Sequence, residues 1–142
     1  MKAINLVGRI LFSLIFITAA TGHFKAETIA YAKASGVPLA DLAVPASGVL
    51  SLLAGLSVLL GYKVKWGAAA TVAFLVPVTL TMHKFWGIAD PMMAQMQQVM
   101  FMKNVALIGG ALILAYAGAG AYSVDAWLET RRARTSAAIA TT

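Results

Sequence analysis

The chain has 142 residues, of which 61% are hydrophobic and only 11% charged, and its net charge is +6. A soluble domain is about 25% charged, and a chain this short could not hide so much apolar surface from water, so lipid is its main solvent and a water-soluble enzyme is excluded. The absence of cysteine rules out a protein disulfide relay and any thiolate-held cluster.

The first apolar run is Ile4–Gly22. Lys2 and Arg9 near its start and small residues around Ala19–Thr21 give it some features of a signal peptide, but it exceeds that length and is read as a retained span. The next stretch, FKAETIAYAKASGVPLADLAVP, predicts a short interfacial helix over Phe24–Lys33, ended by Gly36 and Pro38. A second span follows at Leu42–Gly61, where Ser47, Ser51 and Gly55 recur every four residues and let a neighbouring backbone come close. GYKVKWG is then a tight turn, with Tyr62 and Trp66 at headgroup depth.

The third span, Trp66–His83, contains Pro77, which denies the carbonyl of Ala73 its helical donor and predicts a kink. Asp90 as N-cap and Pro91 at the first helical position start a fourth helix ahead of its apolar run, Val99–Ala119. Ala111, Ala115 and Ala119 give that helix its own small-residue stripe. Beyond residue 128 the tail RRARTSAAIATT has no apolar period, and residues 129–142 are expected to form a basic, flexible appendage.

Each apolar run approaches the ~20 residues needed to cross a hydrocarbon core of about 30 Å. The expected fold is therefore an all-α, four-helix integral membrane bundle over residues 1–128. Four spans put both termini and the middle turn on one side. That side carries seven cations (Lys2, Arg9, Lys63, Lys65, Arg131, Arg132 and Arg134) against Lys25, Lys33, Lys84 and Lys103 on the other. The positive-inside rule then places both termini in the cytoplasm. Cations that flank apolar helices in this way speak for orientation and against nucleic acid.

The polar residues gather at the opposite, outer end. Thr18, Thr21 and Lys25 share a face of the first helix, beside His23. Thr79, His83 and Trp86 share one on the third, and Gln97, Met100 and Asn104 one on the fourth, beside Lys103. If these faces turn inward they line a polar pocket, with His83, Trp86, Lys103, Asn104, His23, Lys25, Gln97 and Thr79 as candidate ligand contacts. A cation and an amide inside a membrane helix are costly unless paired, and Asp90 or Glu27 are the acids within reach of Lys103.

Each candidate also has an ordinary role. Lys84 can snorkel to the headgroups, Trp66, Trp86 and Trp127 can form an interfacial belt, and Thr18, Thr21 and Thr79 can bond their own helix carbonyls. Met92, Met93, Met96, Met100 and Met102 with the two histidines raise copper(I) or haem, but methionine is ordinary apolar filler and nothing else in the chain supports either group, so no metal site is assigned.

The segments GRILFSLIFITAATGHFK, AYAKASGVPLADLAVPASGVLSLLAGLSVLLGY, HKFWGIADPMMAQMQQVMFMKNVALIGGALIL and YSVDAWL together resemble the DoxX family of small four-helix membrane proteins, over about residues 4–128. The resemblance rests on the HxFW, DP and KN elements, which fall here on His83, Phe85, Trp86, Asp90, Lys103 and Asn104. It implies the four-helix fold, a place in the plasma membrane and a link to quinone or thiol redox chemistry, since the family is similar to the small subunit of thiosulfate:quinone oxidoreductase. Relatives often carry a glutamate in the second helix where this chain has Ser51.

The expected function is thus that of a membrane component of a quinone-linked redox system, with a quinone or similar lipophilic ligand as its cofactor near the outer leaflet. Electrons would come from a redox partner protein or a substrate. A non-catalytic membrane anchor or assembly partner for an oxidoreductase complex is the alternative, a carrier of a lipophilic compound is a third reading, and a homo-oligomer is compatible with each.

Overall fold

The computed structural model describes residues 2–140, and all regular structure among them is helical. Helix α1 spans Lys2–Ala20 and runs into a 3₁₀ turn at Thr21–Phe24. It is followed by α2 (Ala26–Ala34), α3 (Ala40–Leu60), α4 (Val64–Met82), α5 (Pro91–Ala117) and α6 (Val124–Ala140). Four segments are long and apolar enough to cross a membrane: Lys2–Phe24, Ala40–Leu60, Val64–Met82 and Pro91–Ala117.

Local chemistry explains most of the boundaries. α2 stops where Gly36 takes φ +84°, Val37 N–H donates to the carbonyl of Ala32 and Gly36 N–H to that of Lys33, a Schellman arrangement. α3 ends the same way at Gly61, with Tyr62 N–H donating to Ser57 and Gly61 N–H to Val58. α5 begins well ahead of its apolar run because the carboxylate of Asp90 accepts from Met93 N–H at 2.7 Å and Pro91 occupies the first turn. Pro77 does not divide α4, which is one helix from Val64 to Met82. The stretch after residue 128, expected to lack regular structure, continues α6 to Ala140, and the final two residues of that expected tail lie outside the described part.

α3 packs against both α1 and α4, and α5 packs against α4. Small residues set the closeness. A side chain on Gly55 would stand 3.0 Å from Ile17 and 3.1 Å from Phe16, and buried Ser51 donates to the carbonyl of Phe16 at 3.1 Å. Ser51 therefore ties α3 to α1. Phe16, Phe74 and Leu75 form the central apolar cluster, with Leu107 and Ile108 of α5 packed on it, so the row of helices closes into a bundle. A second cluster, Ala32, Ala40 and Val44, seats α2 across the end of α3.

The end where α1 begins and α5 stops is more polar inside than the sequence suggested. Arg9 is completely buried, and its guanidinium donates to the carbonyls of Val58 at 3.5 Å and of Tyr122. Asn5 donates to Gly118 at 3.4 Å, while Asp125 accepts from Lys63 N–H and donates its own N–H to Gly61. These bonds fasten the 118–125 segment across the α3–α4 turn.

Candidate functional site

A cavity of about 750 Å³ opens at the other end, where the 3₁₀ turn and α2 fold over α3 and α4. Its walls are mostly apolar, with Val37, Val44, Leu50, Phe74, Val78 and Met82 among them. Six polar side chains reach it: His23, Thr28, Tyr31, Ser47, Thr81 and His83. Ala46, Ala73 and Pro77 also line it and are exposed. They lie in the apolar spans, so the opening between α3 and α4 faces lipid.

His23 is placed by the 3₁₀ turn. Its Nδ1 lies 3.1 Å from the carbonyl of Ala19, its ring meets Phe74 edge-on at 5.6 Å, and its Cβ rests against Gly48 of α3. A side chain on Gly48 would come within 2.6 Å of that Cβ, so a glycine is required where the turn crosses the helix. His83 stands at the C-terminus of α4, with Nδ1 2.9 Å from Oε1 of Gln97. The same amide donates through Nε2 to the Tyr31 hydroxyl at 3.2 Å. α2, α4 and α5 are thus joined by one Tyr31–Gln97–His83 chain.

The structure brings together only part of the candidate set. His23 and His83 line the cavity, and Gln97 orients His83 from behind. Thr79 is buried but bonds its own helix at Leu75, 2.6 Å away. Thr18 and Thr21 likewise donate to Leu14 and Thr18. Lys25 is exposed. Trp86 is exposed and packs edge-on with Phe85 and Phe101, outside the cavity wall.

The counter-ions expected for Lys103, Asp90 or Glu27, do not pair with it among the described residues. Adjacent residues on a helix point about 100° apart, so Lys103 is exposed while Asn104 is buried, and neither lines the cavity. Lys103 Nζ reaches only Met100 Sδ at 3.5 Å. Asp90 uses its carboxylate as the α5 cap, and the one ion pair among the described residues joins Lys33 and Asp41 at 2.7 Å. Sequence reading also missed Tyr31, Ser47 and Thr81. All three sit at helical spacing from residues already singled out, but no signal in the chain says that α2 folds back over α3. Among the described residues no three metal-ligating side chains cluster.

The DoxX family model matches residues 4–84, more than half of the chain and both cavity histidines. The chain belongs to the DoxX family. It is 34% identical over 128 residues to the inner membrane protein YqjF of Escherichia coli strain K12, a match covering 89% of this chain and 92% of that protein. It is 27% identical over 122 residues to the inner membrane protein YphA of the same organism, covering 84% and 86%. No solved structure matches. With four apolar helices and two relatives of the inner membrane, this DoxX protein is a multi-pass plasma-membrane protein.

Proposed function

We propose that this DoxX protein binds a quinone-type lipophilic ligand in the cavity between α2, α3 and α4, as the membrane component of a quinone-linked redox system. The observation that supports this reading is the cavity itself: about 750 Å³, apolar in most of its wall, entered from lipid, and holding two histidines and a tyrosine. Small-molecule pockets run from roughly 300 to 1,000 Å³ with a few convergent polar groups. An isoprenoid-tailed ring could enter sideways from the bilayer and place its ring oxygens against His23, Tyr31 and His83. With the termini cytoplasmic, as the cation asymmetry suggests, the site lies toward the outer leaflet. Electrons are exchanged with a partner protein or substrate, because no side chain of this chain carries one readily.

The test is equilibrium binding of a short-tailed ubiquinone or menaquinone analogue, in both oxidation states, to purified protein in detergent. Saturable binding of at least one oxidation state, weakened about 3- to 10-fold in His23→Ala and His83→Ala, is expected, the effect of one hydrogen bond each. Absence of binding by either oxidation state, with loss of a co-purifying subunit when residues 85–98 are altered, would favour the anchor role instead.

A further inference from the structure

Most of the cavity's polar groups share a property that its composition hides: four of the six have already spent their protons. His23 Nδ1 faces the carbonyl of Ala19, which can only accept, so in the neutral ring the proton sits on Nδ1 and Nε2 is a bare acceptor. His83 is held in the same tautomer. Gln97 gives an N–H to Tyr31, which turns Oε1 toward His83, and an amide oxygen also only accepts. Neither Nε2 has a partner among the described residues, and neither is sealed in packing.

The hydroxyls follow the same pattern. Ser47 donates to the carbonyl of Val44 at 2.7 Å and Thr81 to that of Pro77 at 2.7 Å, leaving lone pairs for the cavity. Pro77 has no N–H for the carbonyl of Ala73, and both residues line the space. Tyr31 already accepts from Gln97 and keeps one proton to give, and Thr28 can do either. The wall offers acceptors in excess.

We infer that the cavity selects a ligand that brings its own donors, the reduced dihydroxy form (a quinol) in preference to the quinone. A quinone presents two carbonyl oxygens, which would meet lone pairs at both histidines. The quinol presents two hydroxyls, which donate to them. This inference rests on the quinone-type reading of the site and specifies its redox state. Gln97 acts as a positioning residue, since it sets the tautomer of His83 without lining the cavity.

Anaerobic competition binding of decylubiquinol and decylubiquinone to the purified full-length protein tests it. The reduced form is expected to bind about tenfold or more tightly, from hydrogen bonds gained by one form and lone-pair clashes suffered by the other. In Gln97→Leu the His83 tautomer is released, so the preference should shrink several-fold while the quinone still binds. Equal binding, or tighter binding of the quinone, would overturn the inference and leave the ligand reading intact. Failure of both forms to bind would remove the ligand reading, and the inference with it. ¹⁵N chemical shifts of the two imidazoles give a second readout that needs no ligand: Nδ1–H in both rings is expected, and Nε2–H in both overturns the proposal.

Discussion

The guanidinium of Arg9 fills the space that a side chain on Gly61 would need: a Cβ there would collide with Nη1 of Arg9. Gly61 also holds φ +67°, where other residues are strained. One glycine therefore ends α3 and admits the buried cation that binds α1 to the carbonyls of Val58 and Tyr122.

Gly61→Ala should accordingly destabilise the protein by about 2–4 kcal/mol, combining left-handed strain with displacement of Arg9. Arg9→Met should cost a similar amount, since hydrogen bonds from a charged donor contribute roughly 1.5–3 kcal/mol each. Arg9→Lys should not restore the loss, because its single nitrogen cannot reproduce the spacing of the two guanidinium nitrogens that each meet a different carbonyl. Thermal unfolding in detergent measures all three, and a wild-type midpoint for Arg9→Met would remove the latch.

Gly48→Ala should act at the other end. The added methyl meets His23 Cβ and the carbonyl of Ala20, which stands 3.2 Å away, so the 3₁₀ turn must shift. About 1–3 kcal/mol of stability is at stake. Ligand binding should fall by more than in Ser47→Ala on the same helix. An equal fall in both would mean that the turn does not position His23.

The two halves of the motif-derived candidate set should separate. Lys103→Met and Trp86→Ala should leave binding of a quinone-type ligand within about twofold, since neither residue lines the cavity. His83→Ala and Tyr31→Phe should weaken it, the latter by removing a hydroxyl that still has a proton to give. A titration in which Lys103→Met abolishes binding while His83→Ala does not would place the site elsewhere.

Ser51→Ala should cost only about 1 kcal/mol, the net worth of its bond to Phe16. Ser51→Leu should cost more, because α1 and α3 approach across that stripe and the larger side chain must push them apart. Unfolding midpoints of the two variants check the order, which would reverse if α1 and α3 were loosely packed there.

How far the chain could be read without its fold differs from residue to residue. The four spans, the Asp90 cap, the Gly36 stop and the short helix before it were legible because each depends on neighbours in sequence. The same rule that drew attention to Lys103, a cation set inside a membrane helix, applies with more force to Arg9. Arg9 was set aside as a flanking charge, and its partners Val58 and Tyr122 are 49 and 113 residues away. Lys103 and Asn104 part because a helix can turn one of two adjacent residues inward and leave the other outside.

Apolar length and periodicity determine by themselves that this protein is a helical bundle dissolved in lipid, because in hydrocarbon the backbone must satisfy its own hydrogen bonds within each helix. They do not say which polar residues meet. That was decided when α2 folded over α3 and α4, bringing His23, Tyr31 and His83 around one cavity and committing the imidazole protons to carbonyl and amide oxygens. Hydrogen-bond direction depends on the partner across space, which no pattern along the chain records.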